Sequence, residues 1–210
     1  MEYSSTGFFN DQEILLNILE IHAVNNPLIL DVTYNSGKMW KGLDLEVTKC
    51  DINKHFPIDV NCDFLFLPFK PNTFDVIVFD PPHLPNCSDT KTSNKQFVDN
   101  YGLNNIGCSY REGKNVSGYF VPFLLQAMPV LTTNGILLCK ICDLINCSQY
   151  QWQHVDFINA VRDLGYIACD MVIKSRKSKL ISGKWKQVKH FRKNHSYWII
   201  VRKGKKCYRP

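Results

Sequence analysis

The chain has 210 residues, 45% of them apolar and 21% charged, a balance that excludes the disordered and fibrous classes and suits one domain with a buried core. Its 25 Lys and Arg outnumber 19 Asp and Glu, for a formal net charge of +6. The excess is concentrated: Met171 to Pro210 holds 14 basic residues and no acidic one, which points to a polyanionic partner, nucleic acid first.

Met1 to Thr6 shows no basic stretch followed by an apolar one, so no secretory leader is expected. No apolar run approaches the ~18 residues that span a bilayer, so no membrane association is expected. The nine cysteines are expected to be reduced and mostly buried. That places the chain inside a cell, cytoplasmic or nucleoid-associated if its source is bacterial or viral.

In chain order, Asp11 to His22 reads as an amphipathic helix capped by Asn10 or Asp11. An apolar run from Leu28 ends in Asp31 and gives way to a turn over Asn35 to Lys38. Leu45 to Cys50 is a second strand, ending in Asp51. Cys62 to Phe69 precedes a turn at Lys70 to Thr73, and Asp75 to Phe79 is a buried strand ending at Asp80-Pro81-Pro82-His83. The stretch from Leu84 to Gly118 is too long and too polar for an ordinary connector and reads as a functional loop. Tyr119 to Val130 resumes a helix. Asn134-Gly135 turns into a strand over Ile136 to Ile141. Trp152 to Leu164 is a helix with Trp152, Val155 and Ile158 in its core stripe and Gly165 as its stop. Tyr166 to Ile173 and His195 to Arg202 are strands that pair as an antiparallel hairpin at the sheet edge, joined by a basic connection.

Short apolar strands alternating with helices predict an open, mostly parallel α/β sheet with helices on both faces. Several strands end in acids, and such folds bind ligands at the carboxyl ends of their strands. Asp80 is the most informative of these. Two prolines cannot continue a central strand, so they place Asp80 at a rigid exit. Its carboxylate and the Pro81 carbonyl supply two acceptors that can grip a planar amino group and offset positive charge developing on its nitrogen. The His83 ring can pack on the base that carries the amine. Cys139 and Cys142, three apart on a predicted strand, point to opposite faces, so no metal site is expected.

Asp80-Pro81-Pro82-His83 resembles the (Asp/Asn/Ser)-Pro-Pro-(Tyr/Phe/Trp) motif of class I S-adenosylmethionine-dependent amino-methyltransferases, with histidine where an aromatic is usual. That family methylates adenine N6 or cytosine N4 in DNA, and some relatives act on RNA or protein amides. Leu28 to Gly37 is similar to its first cofactor motif, though Gly37 is the single glycine there. Lys193 to Val201 looks like its Asn-His-Glu-Tyr-like segment, with Ser196 in place of the glutamate. The resemblance covers roughly Phe8 to Lys203.

The resemblance implies a Rossmann-like class I methyltransferase fold, a single catalytic domain over residues 1–210, and S-adenosyl-L-methionine as cofactor. It implies that Asp31, Thr33, Asn35 and Gly37 shape the methionyl pocket, that Asp51 with Ile52 binds the ribose, and that Asp63 with Phe64 meets the adenine. Thr6 and Phe8 would wrap over the methionine end. Without a separate recognition domain, nucleic acid would be read by the loop at about 84–118 and a basic arm at about 174–192. The candidate substrate contacts there and in the cleft are Lys91, Tyr110, Arg111, Lys140, Arg176, Lys177, Lys184 and Trp185. Asp143 can also face the cleft. The expected activity is methyl transfer to an exocyclic amine of a nucleobase, adenine N6 in DNA first. The alternatives are an RNA base methyltransferase and a non-catalytic module that binds nucleic acid or protein. A homodimer or a partner subunit is compatible with either.

Overall fold

A computed structural model describes residues 3–83, 116–146, 149–176, 190–191 and 193–204. The loop at about 84–118 and the basic arm at about 174–192 fall largely outside them. So do six candidate contacts: Lys91, Tyr110, Arg111, Lys177, Lys184 and Trp185.

Helix α1 (Asp11–His22) starts where the Asn10 side chain accepts a hydrogen bond from the Glu13 amide at 2.8 Å, which satisfies one of the free donors at a helix start. Strands β1 (Ile29–Asp31), β2 (Val47–Asp51), β3 (Val60–Asn61), β4 (Phe74–Phe79) and β5 (Leu131–Ile141) follow, with α2 (Phe120–Val130) between β4 and β5. A hairpin of β6 (Leu144–Asn146) and β7 (Gln149–Gln151) precedes α3 (Gln153–Asp163), β8 (Ile167–Ser175) and β9 (His195–Arg202). The main sheet has seven strands in the order β3-β2-β1-β4-β5-β9-β8. Neighbours from β3 to β5 are parallel, and β9 lies antiparallel between β5 and β8. The strand order reverses between β1 and β4, the point where doubly wound sheets open a crevice for ligands.

Alternation along the strands divides the core between the two faces. On one face Ile29, Val76, Val78, Leu138, Trp198 and Ile200 meet Ile14, Leu15 and Ile18 of α1. On the other, Leu30, Ile77, Phe79, Leu137 and Val201 meet Phe123 and Leu124 of α2 and Phe157 of α3. Phe79 and Phe123 stack with centroids 3.8 Å apart.

Several expectations need correction. β2 starts at Val47 rather than Leu45, and the short, unexpected β3 precedes Cys62 to Phe69. The expected turn at Asn134-Gly135 lies inside β5. There the register shifts from Phe74↔Leu131 to Val76↔Ile136, so extra residues bulge from β5. Gly135 permits this, since a Cβ there would meet the Asp75 carbonyl oxygen at 3.0 Å. α3 begins at Gln153 and buries Gln153, Phe157, Ala160 and Val161; Trp152 and Val155 are exposed rather than core. Finally, Cys50 at the end of β2 and Cys62 just after β3 are joined as a disulfide, with Cα atoms 6.1 Å apart. Parallel pairing of β2 with β3 brings the two together, so the reduced state expected for all the cysteines does not hold for these two.

Candidate active site

The carboxyl ends of β1, β2, β4 and β5 open into one cavity of about 780 Å³, a size suited to a nucleoside-like ligand. Twelve of the candidate residues line it: Thr33, Asn35, Asp51, Ile52, Asp63 and Phe64 on one side, and Asp80, Pro81, Pro82, His83, Lys140 and Arg176 on the other. Four do not. Asp31 is fully buried beneath the cavity floor. Gly37 lies behind Tyr34, with a left-handed φ of 67°. Thr6 and Phe8 belong to an N-terminal segment laid along β8, where the Ser175 amide donates to the Phe8 carbonyl and the Ile173 amide to that of Ser5. Edge pairing with β8 holds that segment away from the cavity, and Phe8 packs in the core beside α1.

Asp31 organises the first turn. One carboxylate oxygen accepts from the Thr33 amide at 2.9 Å, the other from Trp40 Nε1 at 2.6 Å. Burial pushes its pKa up to about 7 against these bonds, with the nearby charges of Asp80 and Asp51 adding to the rise. The turn it holds reaches both neighbours. Thr33 Oγ1 accepts from the Asp80 amide at 2.8 Å, and the Asn35 amide donates to Asp51 at 2.8 Å. Asn35 takes a φ of 52°, a conformation asparagine tolerates. Asp51 also accepts from the Asn53 amide at 2.8 Å, and its pKa is raised by burial. Each of its oxygens keeps a lone pair for a ligand hydroxyl. Asp63 closes a turn by accepting from the Leu65 amide at 2.9 Å. Beside it Phe64 packs edge-on against Phe79 at 5.1 Å.

Around Asp80 lies a charge network that crosses the fold. Lys140 Nζ, at the end of β5, is 2.8 Å from Asp80 Oδ2 and 3.3 Å from Asp11 Oδ2. Lys174 of β8 also pairs with Asp11, whose other oxygen accepts from Trp198 Nε1 at 3.2 Å. Burial opposes the charge on Lys140, yet the carboxylates of Asp80 and Asp11 hold its pKa above the ordinary lysine range. For Asp11, burial is likewise outweighed by the two lysines, which lower its pKa. His83 donates from Nε2 to the Lys140 carbonyl at 3.0 Å and lies 3.9 Å from Asp80 Oδ1. Burial lowers its pKa, which keeps the ring neutral at pH 7. Its Nδ1 has no partner among the described residues.

Asp11, Lys174 and Trp198 are contributions that the local sequence did not single out. Asp11 reads as a helix cap and Lys174 as part of a basic arm. Only Asp11, which meets Lys140 129 residues away in the chain as well as Lys174 and Trp198, makes them one unit. Among the described residues no group of three or more His, Cys, Asp or Glu is placed to hold a metal ion. No helix among them is long and apolar enough to cross a membrane.

No sequence family and no curated protein matches the chain. Solved structures do. A S-adenosylmethionine-dependent methyltransferase of Leishmania major aligns with a TM-score of 0.54 at 14% identity, over 91% of this chain and 71% of its own. One from Methanosarcina mazei aligns with a TM-score of 0.52 at 12% identity, over 90% of this chain and 95% of its own. The 1,6-didemethyltoxoflavin N1-methyltransferase of Burkholderia thailandensis, solved with that compound and S-adenosylhomocysteine, aligns with a TM-score of 0.53 at 11% identity. That match covers 91% of this chain and 76% of the other. The chain therefore has the Rossmann-like class I S-adenosylmethionine-dependent methyltransferase fold, with the antiparallel β9 inserted next to the edge strand β8.

Proposed function

We propose that the chain is an S-adenosylmethionine-dependent methyltransferase that acts on an exocyclic amino nitrogen of a nucleobase, adenine N6 in DNA ahead of cytosine N4. The observation that carries this reading is that one cavity holds Asp51 and Asp63 on one wall and Asp80-Pro81-Pro82-His83 on the other. The donors and acceptors present fit the cofactor: Asp51 for a ribose diol, Asp63 and Phe64 for an adenine, and the Thr33 to Asn35 turn for an amino-acid end. When bound, the cofactor supplies a methyl group already activated on a sulfonium, so no metal is required.

The chain's own residues do the rest. Asp80 Oδ1 and the Pro81 carbonyl accept from the two amine hydrogens, which fixes the nitrogen and its lone pair. As the nitrogen would bond to the methyl carbon, the carbon–sulfur bond of the sulfonium would break and positive charge would grow on the nitrogen. The Asp80 carboxylate would offset that charge in a site partly withdrawn from water, and the surplus amine proton would leave through Asp80 to solvent. His83, neutral and held by the Lys140 carbonyl, gives the base a flat wall.

The Lys140 ammonium on Asp80 favours a second reading, in which the acceptor is a hydroxyl. A fixed cation opposes charge development on an amine, whereas it helps a hydroxyl lose its proton.

Radiolabelled methyl transfer to duplex DNA, single-stranded DNA and total RNA, with digestion to nucleosides, separates these readings. Label as N6-methyladenine or N4-methylcytosine in DNA supports the first, and label on the same amines in RNA moves only the polymer. Label on ribose oxygen selects the second. Asp80→Ala is expected to abolish turnover while sparing cofactor binding, and near-normal turnover in that variant would overturn the site. Absence of both label and cofactor binding would return the chain to a non-catalytic binding module.

A further inference from the structure

Among the described residues the β6–β7 hairpin pairs only with itself, and Leu144 and Ile145 of β6 line the cavity. It delivers an aromatic pair: the rings of Tyr150 and Trp152 lie 4.2 Å apart, and Trp152 is 56% exposed. A tryptophan held in water forgoes the burial that stabilises most large apolar side chains. This one is also braced. Tyr150 donates its hydroxyl to the buried Asp143 at 2.7 Å, and Asp143 accepts from the His154 ring at 2.7 Å and from its amide at 3.2 Å. His154 in turn stacks on Tyr197 with centroids 4.2 Å apart. The exposed Trp152 and the half-buried Tyr150 therefore rest on a base fixed to β5, α3 and β9, and ordering them on a ligand carries little further entropic cost.

A cation faces the pair. Lys193 Nζ lies 3.8 Å from the Tyr150 ring centre. Lys193 and Arg176 line the same cavity as Asp80 and His83, as do Asp143 and Leu144 of this cluster. The two cations and Asp143 thus line the same space as the candidate catalytic carboxylate, while the rings of Tyr150 and Trp152 lie outside that lining.

We infer that the exposed Trp152, backed by Tyr150, forms with Lys193 and Arg176 a platform for single-stranded nucleic acid that leads a base toward the cavity. A flat, exposed ring such as that of Trp152 stacks on any base that is already unpaired, while the ammonium and guanidinium groups meet phosphates. A duplex covers its base faces and offers such a ring only its ends. This deepens the proposed methyl transfer to nucleobases and rests on that reading for what occupies the cavity.

The test is fluorescence anisotropy of the full chain with a labelled DNA strand of about 12 nucleotides, a length matched to typical single-strand sites, and with the corresponding duplex. The strand is expected to bind more tightly than the duplex. Trp152→Ala should weaken strand binding roughly 5- to 100-fold, the loss of one stacked base, while Trp152→Phe recovers most of it. Lys193→Gln should weaken binding and flatten its salt dependence by about one released counterion. Unaltered S-adenosylmethionine affinity in Trp152→Ala establishes that the cavity is intact. Strand affinity unchanged in both Trp152→Ala and Lys193→Gln would overturn the platform and leave the surface to a protein partner. The two proposals fail separately. Loss of strand binding in Trp152→Ala, in a chain that methylates no nucleic acid, keeps the platform and removes the methyl-transfer reading. Nucleobase methylation by Trp152→Ala at the rate and strand affinity of the parent chain does the reverse.

Discussion

Lys140 Nζ sits 2.8 Å from Asp80 Oδ2, and the same ammonium reaches Asp11 Oδ2 at 3.3 Å. One cation at the end of β5 therefore joins the exit of β4 to the start of α1. Its side chain and those of both carboxylates are largely buried, so removing it leaves Asp80 as a poorly solvated anion without its cation, while Asp11 keeps Lys174. Lys140→Met is expected to lower stability by about 3 kcal/mol, the scale for breaking a buried pair. Asp11→Asn should cost less, because Lys140 keeps Asp80. Chemical denaturation of both variants and of the double variant checks the coupling. Additive effects would mean that Lys140 and Asp11 do not interact.

Asp31 gives the chain a pH dependence of known sign. Its folded pKa is about 7 against an ordinary value of 3.8, because burial penalises the charged form. Between those values the folded state binds a proton that the unfolded state has lost. The contribution is complete below about pH 3.8, declines as pH rises through the interval, and is gone above about pH 7. Asp31→Asn should remove that decline while weakening the bonds to Thr33 and Trp40, since an amide oxygen replaces only one of two acceptors. Denaturation at several pH values between 4 and 7 reads the slope. An equal slope in the variant would mean that Asp31 does not titrate there.

The sequence made the site's floor legible because its parts are local. A short apolar strand followed by an acid marks Asp31, Asp51 and Asp80 without any tertiary knowledge, and all three stand at the carboxyl ends of β1, β2 and β4. What failed was phase and distance. Trp152, Val155 and Ile158 have helical spacing, but the face that α3 buries runs through Gln153, Phe157, Ala160 and Val161. A stripe one residue out of phase fits the same period. The Phe8 segment pairs with β8, and Lys174 meets Asp11 across 163 residues; neither is encoded in a local pattern. The β6–β7 hairpin has strands of three residues each, too short for alternation to declare itself.

Phe123 couples the core to the cavity. It stacks on Phe79 with centroids 3.8 Å apart and meets the edge of Phe64 at 5.9 Å, and Phe64 lines the cavity. Phe123→Ala is expected to cost about 3–5 kcal/mol in stability, from lost transfer energy and the void left behind. The void also frees Phe64, so S-adenosylmethionine affinity should fall in the fraction that remains folded. Calorimetric titration at a temperature well below the transition separates the two effects. Unchanged affinity would mean that Phe79 and Tyr119, the other rings at its edge, suffice to hold Phe64.

Gly37 is tied to the cavity through Tyr34. Its φ of 67° is left-handed, and a Cβ added there would come within 2.4 Å of Tyr34 Oη. Gly37→Ala therefore meets two penalties: about 1–2 kcal/mol for the conformation, and a clash that only movement of Tyr34 can relieve. Tyr34 lines the cavity beside Asn35, so the clash pushes on the turn proposed to receive the cofactor. Gly37→Ala should lower both stability and S-adenosylmethionine affinity. In the Gly37→Ala, Tyr34→Ala double variant the clash is gone and the backbone penalty remains. The loss of stability should then fall short of the sum of the single losses by more than about 0.5 kcal/mol, the margin within which independent sites add. Strict additivity would mean that Tyr34 does not hold Gly37 in place.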